Sequence, residues 1–246
     1  MSLPILYYVL LAILGLSLII QFGFYFIPYT AILRRTRKIK KGNVAHSVEQ
    51  PPVSVIICAK NEGHNLKRFL PLILEQNYND YEVIVVNDGS WDDTENIIKD
   101  FQEDYNNLYI TTIPQETRII SHKKLAITVG VKAAKNEILL FTDADCRPLT
   151  PDWISSMVRN FDSQTEFVLG HGNYYDEPGF IGKLVSYDTL TIAMQYMGFA
   201  LLGHPYMGVG RNMAYRKSTF FRLKGFAGFL HVASGDDDLL INAFGK

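Results

Sequence analysis

The stretch "VSVIICA", Val53 to Ala59, is a short run of apolar and mostly β-branched residues. A run of this kind predicts a strand that is buried on both faces. Further strands are predicted after it, and stretches with helical spacing separate them. In order, the predictions are strand 53–59, helix 64–76, strand 81–88, helix 94–105, strand 108–113, helix 123–134 and strand 137–143. Strands that alternate with helices indicate βαβ units, and hence a mainly parallel sheet flanked by helices.

The residues after this region are less regular. We predict a helix over 151–161, a strand over 166–175 and a long, mostly apolar helix over 180–203. Lys183 and Asp188 argue against a second membrane span in the last of these. We expect that helix to pack on the sheet and to skirt the membrane surface.

The amino-terminal stretch, residues 3–33, contains no charged side chain. Crossing a bilayer takes about 20 apolar residues, so this stretch is long enough. A buried core helix and a cleaved signal peptide are the alternatives. A signal peptide would have a basic start, a shorter apolar region and a small-residue cleavage site. The sequence therefore favours a transmembrane anchor over 1–33.

A basic run follows the apolar stretch at once: Arg34, Arg35, Arg37, Lys38, Lys40 and Lys41. Flanking basic residues stay on the cytoplasmic side, which predicts a single-pass protein whose remaining chain is cytoplasmic. The run can contact anionic lipid head groups or be merely solvated. Residues 34–52 are predicted to form this juxtamembrane segment and a linker, and residues 53–246 a single domain.

The overall charge and the two cysteines restrict the possible functions only weakly. The net charge of -1 offers nothing to attract nucleic acid, so no nucleic-acid partner is expected. Cys58 and Cys146 fit a reducing cytoplasm and require no disulfide.

Polar residues cluster directly after three of the predicted strands. The clusters are Lys60-Asn61-Glu62, Asn87-Asp88-Gly89-Ser90 and Asp143-Ala144-Asp145. In open α/β sheets, ligands bind at the carboxyl ends of the strands. The coincidence of all three clusters with strand ends therefore predicts a ligand site at this edge of the sheet.

The pair Asp143 and Asp145 is the clearest candidate for metal binding. Side chains two apart in an extended chain point the same way, and Ala144 between them leaves room for close approach. Mg²⁺ takes hard oxygen ligands, commonly one or two carboxylates together with substrate phosphates. The alternative for the pair is an ordinary polar turn at the end of a strand.

Asp88 and Lys123 are candidates for binding the rest of a nucleotide. Asp88 ends a strand and can accept hydrogen bonds from a ribose or base. The alternative is an Asx turn or a helix N-cap at this point, with Asp92, Asp93 or Thr94 as the capping residue. Lys123 begins a helix whose free N–H groups favour phosphate, and Lys124 serves equally well on this argument. Solvent-exposed lysines at a helix start are the alternative.

The sequence "SGDDDLLIN", Ser234 to Asn242, places three acids before an apolar stretch. Adjacent acids repel one another, which raises carboxyl pKa values and suits a general base. The same acids can instead form a helix start that complements the helix dipole.

The order of these motifs along the chain resembles the family 2 glycosyltransferases of GT-A fold. The resemblance rests on Asn61-Glu62, "NDGSWDDT", "KKLAITVG", "TDADCRP", "GVGRNMAYRK" and "SGDDDLLIN", and it runs from about Val53 to Asn242. The anchored arrangement also resembles bacterial glycan-synthesising members, including relatives of the hyaluronan and cellulose synthases. This implies a location at the cytoplasmic face of a bacterial inner membrane, with membrane lipid as a neighbour.

The resemblance implies an inverting transfer of a sugar from a nucleotide diphosphate donor to a hydroxyl of a glycan, lipid or polysaccharide acceptor. It implies that Asp88 binds base or ribose, that Lys123 matches the basic position of "GKxxAL", and that Asp143 and Asp145 are the D-x-D. Mg²⁺ or Mn²⁺ is the implied cofactor, with Asp145 as its preferred direct ligand.

The same resemblance assigns the remaining site residues. The family's acidic pair falls on Asp236 and Asp237, and Asp237 is the expected catalytic base. Asn61 and Glu62 are expected on the donor side. Arg211 and Asn212 match a stretch that lines the donor or acceptor site.

Three departures from the family pattern stand out. Asn87 replaces the first acid of the common "DDGS", and Trp91 stands where threonine is frequent. Processive members continue beyond the base motif with "QxxRW" and further membrane helices, whereas this sequence stops at Lys246. The resemblance therefore leads us to expect a chain that is truncated at its carboxyl end.

Two rival functions remain open. A sugar nucleotidyltransferase would carry a glycine-rich basic loop after the first strand, whereas "CAKNEGHN" contains only Gly63. A catalytically incomplete, membrane-anchored module that binds nucleotide sugar without turnover fits the same residues.

Overall fold

The computed structural model describes residues 3–42, 50–117, 121–175, 178–229 and 231–244. Over its described residues the chain forms two compact units. One comprises Met1–Val44 and Asn173–Tyr206, and the other comprises Ala45–Gly172 and Met207–Phe244. The first unit thus contains residues 173–206, which the sequence places with the carboxyl-terminal domain.

The larger unit is built on a six-stranded sheet with the order β3-β2-β1-β4-β6-β5. The strands are β1 (Val53–Ala59), β2 (Tyr81–Asp88), β3 (Leu108–Ile113), β4 (Ile138–Asp143), β5 (Phe167–Leu169) and β6 (Met213–Arg216). β1 pairs in parallel with both β2 and β4, and β2 pairs in parallel with β3. β6 runs antiparallel to β4 and to β5. The prediction of a mainly parallel sheet is confirmed.

The helices are α1 (Leu3–Lys40), α2 (Gly63–Leu74), α3 (Thr94–Asp104), α4 (His122–Ala133), α5 (Trp153–Val158), α6 (Phe180–Leu201), α7 (Lys217–Arg222) and α8 (Asp236–Phe244). A single 3₁₀ turn, Gly210–Asn212, precedes β6. The predicted strands over residues 53–143 begin and end within one residue of the observed ones. The helices predicted there deviate by at most two residues.

Helices cover both faces of the sheet, which explains why the central strands are mostly apolar. Alternate β1 side chains such as Val55 and Ile57 pack with Leu66 and Leu70 of α2 on one face. Ile56 points to the other face, where residues of α4 pack against it. At Gly130 of α4, a Cβ atom would lie only 2.6 Å from Ile56 Cγ2, so this glycine allows α4 to approach β1 closely.

Two elements of the second half are shorter than predicted. The helix predicted over 151–161 covers Trp153–Val158, and the strand predicted over 166–175 covers Phe167–Leu169. The strand ends where the backbone passes close to side chains of the 3₁₀ turn. A Cβ at Gly170 would lie 2.3 Å from Asn212 Nδ2, so glycine is needed for this close approach, and one further backbone hydrogen bond, from the Gly170 N–H to the Asn212 carbonyl, follows the end of the strand.

In the smaller unit, α6 packs against α1. A Cβ on Gly198 would lie 2.5 Å from Pro28 Cβ, and the rings of Phe24 and Phe199 are 5.3 Å apart. The expectation that this helix packs on the sheet is therefore replaced by packing on α1. Over Pro4–Lys40, α1 has the length and composition of a membrane span, and its most apolar part is not buried.

Candidate active site

The sheet topology brings the carboxyl ends of three parallel strands together. β1 is flanked by β2 and β4, and the register pairs Cys58 with Asp143 and Ala59 with Asn87. Asp88 at the end of β2 and Asp143 at the end of β4 therefore lie on either side of the residues that follow β1. The predicted clustering of acids at one edge of the sheet is observed.

Asp88 is buried and bonded on both carboxylate oxygens. Its Oδ2 lies 3.4 Å from Lys60 Nζ, and its Oδ1 lies 2.9 Å from Nδ1 of His122. The sequence analysis predicted neither residue as a partner of Asp88. Lys60 belongs to the polar cluster after β1, and the signal for His122 is its place directly before Lys123. These two contacts tie the ends of β1 and β2 to the start of α4.

Lys123 connects the D-x-D to the acids of α8. Its Nζ lies 3.3 Å from Asp143 Oδ1 and 3.9 Å from Asp236 Oδ2. Partial burial disfavours the ammonium, but nearby carboxylates, those of Asp143 and Asp236 first, outweigh it and raise the pKa of Lys123. The side chain therefore stays charged at neutral pH.

Asp143, Asp145 and Cys146 each bring one potential ligand atom within 4.8 Å of the others. Asp145 is exposed, and Asp143 is partly exposed. Burial first, and then the charges of Asp145 and Asp143, raise the pKa of the Cys146 thiol to about 12. A neutral thiol is a poor partner for a hard cation, whereas two carboxylates are the ligands that Mg²⁺ or Mn²⁺ prefers. The donor set fits such an ion through its two aspartates.

Asp237 lies in the first turn of α8 and accepts a hydrogen bond of 2.7 Å from the backbone N–H of Gly210. A Cβ on Gly210 would lie 2.6 Å from Asp237 Oδ1, so only glycine permits this approach. Burial, followed by the charge of Asp236, raises the pKa of Asp237 to about 7, against the opposing effects of Lys123 and the Gly210 N–H. A carboxyl group that titrates near neutral pH is suited to general base catalysis.

A small cavity joins these groups. Lys123, Asp143, Asp236 and Asp237 all line it, and its remaining wall is largely apolar. The apolar wall is the physical reason for the desolvation of Asp237, because it replaces water that would otherwise stabilise the carboxylate.

Asn61 and Glu62 connect two loops. Asn61 adopts a left-handed φ of 57°, its N–H donates to Ser90 Oγ, and its Oδ1 accepts from the Trp91 N–H. The Glu62 N–H donates to Thr94 Oγ1. These contacts fasten the β1–α2 loop to the β2–α3 loop, which positions the exposed Trp91.

At the start of α3, Asp93 occupies the N-cap position without a side-chain capping hydrogen bond, and the contact to the first helical N–H comes from Asp92. Its Oδ1 accepts from the Thr94 N–H at 3.1 Å. Its Oδ2 accepts from the Gly63 N–H at 3.2 Å, which is a further link between the two loops.

Arg211 and Asn212 lie in the 3₁₀ turn before β6, and both bond to the segment that follows β5. Arg211 Nε donates to the Gly172 carbonyl, and its charge acts on the Cys146 thiol, next to Asp145. Asn212 holds its surroundings together: its Oδ1 accepts from Trp153 Nε1 at 3.0 Å and its amide donates to the His171 carbonyl at 2.9 Å. Arg211 and Asn212 thus bond to the carbonyls of two neighbouring residues, Gly172 and His171.

Comparison with known proteins gives a consistent result. Residues 54–223 match the model of glycosyl transferase family 2. Glycosyltransferase AglE of Haloferax volcanii is 30% identical over 143 residues, which cover 57% of this chain and 45% of AglE. The poly-β-1,6-N-acetyl-D-glucosamine synthase of Staphylococcus epidermidis is 25% identical over 142 residues, 57% of this chain and 33% of the synthase. The chain thus spans less than half the length of either relative.

Solved structures show the same fold. The mannosyltransferase PcManGT from Pyrobaculum calidifontis, in complex with GDP-Man and Mn²⁺, superposes with a TM-score of 0.62 at 22% identity, covering 91% of this chain and 61% of PcManGT. Residues 1–349 of TarS from S. aureus, in complex with UDP, superpose with a TM-score of 0.53 at 18% identity, covering 77% of this chain and 54% of those TarS residues. On the family match and the shared α/β architecture, the chain belongs to glycosyltransferase family 2 and has the GT-A fold.

Proposed function

We propose that the protein is an inverting glycosyltransferase that moves a sugar from a nucleotide diphosphate donor to an acceptor hydroxyl. The observation that carries the proposal is the position of Lys123, whose ammonium lies between Asp143 of the D-x-D and Asp236 of the acidic helix. A cation and two sets of acids around one cavity match the needs of a reaction that releases a diphosphate and removes a proton. GDP-Man and Mn²⁺ in PcManGT and UDP in TarS support this choice of donor class.

On the donor side, Asp143 and Asp145 would hold Mg²⁺ or Mn²⁺ together with the diphosphate. When bound, such an ion neutralises the negative charge that develops on the leaving diphosphate. Lys123 supplies a fixed positive charge at the same place, because its neighbours keep it protonated. Asp88 would accept a hydrogen bond from the ribose or base, with His122 and Lys60 holding its carboxylate in place.

On the acceptor side, Asp237 would be the catalytic base. Its carboxylate takes the proton of the acceptor hydroxyl while that oxygen forms a bond to the anomeric carbon. The bond from that carbon to the diphosphate oxygen breaks on the opposite face, so the configuration inverts. The Gly210 N–H fixes the orientation of the carboxylate during this step. One displacement needs one base, and no covalent intermediate is involved.

We also propose that α1 anchors the enzyme in a membrane, with the larger unit on the cytoplasmic side. The apolar part of α1 is followed by Arg37, Lys38 and Lys40 in its last turn. Basic residues at the end of an apolar span favour the cytoplasmic side. The acceptor would then be a glycan, polysaccharide or lipid that is reached at the inner face of a bacterial membrane.

The test is a panel of UDP and GDP sugars with Mn²⁺, Mg²⁺ or EDTA, using the full chain in detergent and measuring release of the nucleoside diphosphate. We expect release for at least one donor, and we expect EDTA to abolish it. Metal-dependent donor binding without any release would instead support a binding module without turnover. Absence of both binding and release across the panel would refute the proposal.

A further inference from the structure

The two adjacent lysines at the start of α4 have different environments. Lys123 is partly exposed and contacts the acids of the candidate active site. The side chain of Lys124 is buried, with 1% of its surface exposed. Its Nζ donates to three backbone carbonyls, those of Val232 at 2.5 Å, Ser234 at 3.2 Å and Phe229 at 3.5 Å. Lys124 therefore binds the loop 229–234, of which residue 230 lies outside the described residues.

The number of carbonyls matches the chemistry of an ammonium group. An ammonium has three N–H donors and no acceptor, and a buried charge requires polar partners to offset the loss of water. Within the described part of the chain, Lys124 forms no ion pair with a carboxylate. All of the hydrogen-bonding partners seen for its Nζ come from one loop, so the conformation of that loop depends on this side chain.

The loop 229–234 leads directly into the acids of α8. Gly235 follows Ser234 with a φ of +77°, and its carbonyl accepts from the Leu239 N–H at 2.9 Å to begin the helix. Asp236 and Asp237 are the next two residues. By binding the carbonyls of Val232 and Ser234, Lys124 therefore fixes the backbone directly before the acidic pair. The Gly210 N–H makes a separate contact with the Asp237 carboxylate.

We propose that Lys124 is a positioning residue for the transfer reaction. By fixing the loop 229–234, it sets the position of the Asp236–Asp237 pair relative to Lys123, the residue before it on the same helix. Helix α4 thus carries both Lys123, which contacts the acids, and Lys124, which binds the loop that precedes them. The effect on catalysis rests on the proposed function, whereas the contacts of Lys124 with the loop 229–234 do not depend on it. Lys124 is not among the residues that line the cavity of the candidate active site.

The experiment replaces Lys124 with methionine, which keeps the length of the side chain and removes the donors. Lys132→Met is the matched control, since Lys132 lies in the last turn of the same helix and is exposed. Hydrogen exchange by mass spectrometry on the full chain should show at least tenfold faster exchange over 229–238 in Lys124→Met. Exchange in β1 and β2 should be unchanged. In the same variant kcat should fall at least tenfold, with KM and Kd for the donor within twofold of wild type.

The outcomes separate the inference from the proposed function. An active wild-type enzyme with an equally active, folded Lys124→Met variant would overturn the inference and leave the proposed function standing. Local exchange that rises in a chain whose wild type shows no transfer would support the role of Lys124 in fixing the loop 229–234 and refute the proposed function. A rise in exchange throughout the chain would show that Lys124 serves stability alone.

A second variant covers the case in which Lys124→Met fails to fold. Gly235→Ala strains the same junction, since alanine disfavours a φ of +77°, yet its Cβ meets only Leu239 Cγ, at 3.9 Å. We expect the same loss in kcat with unchanged donor affinity. Unchanged kcat despite faster exchange over 229–238 would overturn the proposal, because the position of this loop would then not matter for turnover.

Discussion

Replacing Asp237 with asparagine should abolish transfer and stabilise the folded protein above neutral pH. Asparagine retains an oxygen that can accept the Gly210 N–H, which donates to Asp237 at 2.7 Å in the wild type. The substitution thus removes the charge and the basicity while preserving shape. A positioned general base contributes about 10²- to 10⁴-fold to rate, so we expect kcat to fall by that factor. Donor affinity should remain, because the proposed donor contacts lie elsewhere.

The expected gain in stability follows from the pKa of the buried carboxyl group. The pKa of Asp237 rises from 3.8 to about 7 on folding, for which burial is the first cause and Asp236 the second. The folded state therefore keeps a proton that the unfolded chain releases, and wild-type stability falls as pH increases through this interval. At about 1.36 kcal/mol per unit, the effect above pH 7 amounts to at most roughly 4 kcal/mol. Relaxation around the charge reduces it, and we expect about 2 kcal/mol.

The assay is urea unfolding of wild type and Asp237→Asn at pH 4.5 and pH 8, together with nucleotide release at pH 8. The two proteins should have similar stability at the lower pH, and the variant should be more stable at the higher pH. A variant that is less stable at pH 8 would refute the account of Asp237 as a desolvated carboxylate. If Asp236→Asn abolishes transfer and Asp237→Asn does not, the base has been assigned to the wrong residue of the pair.

Three further substitutions test other contacts. Gly210→Ala places a Cβ 2.6 Å from Asp237 Oδ1, so kcat should fall at least tenfold, whereas Gly228→Ala, whose Cβ meets none of the described residues within 4 Å, should leave turnover unchanged. Equal turnover in the two variants would contradict the role of the Gly210 contact. Gly130→Ala overpacks the interface between α4 and β1, at a cost of about 1–3 kcal/mol that exceeds the gain in helix propensity; urea unfolding measures it, and a stabilised variant would show that the interface yields. Asp145→Ala should abolish metal-dependent donor binding in calorimetry while the exposed Asp104→Ala has no effect, and unchanged binding in the first would remove Asp145 from the proposed metal site.

The secondary structure of residues 53–143 was predictable because every central strand is buried on both faces. Burial by helices on each side favours a mostly apolar run, and β1 and β4 show this directly in the sequence. A parallel sheet also forces the ends of such strands to one edge, so the order of strands and helices along the chain was enough to place Asp88 and Asp143 together. The start of α8 was visible for a similar local reason, since three acids precede an apolar stretch.

Contacts between distant parts of the chain were not predictable in this way. The apolar surface of α6 fits a sheet or another helix equally well, and contacts seen in the structure, such as those of Gly198 with Pro28 and of Phe199 with Phe24, identify α1 as its partner. His122 carried no motif of its own, and its role depends on the nearby carboxylate of Asp88.

The two lysines at the start of α4 show most clearly what the sequence alone does not predict. Lys123 and Lys124 are chemically identical neighbours at a helix start, and on that basis either can meet a phosphate. Adjacent helix positions point about 100° apart, so the residues that surround the helix decide what each side chain meets. Lys123 meets the carboxylates of Asp143 and Asp236, whereas Lys124 meets three carbonyls more than a hundred residues away along the chain. The sequence determined that a cation stands at this helix start, and only the tertiary structure decided which lysine faces the acids and which one holds their loop.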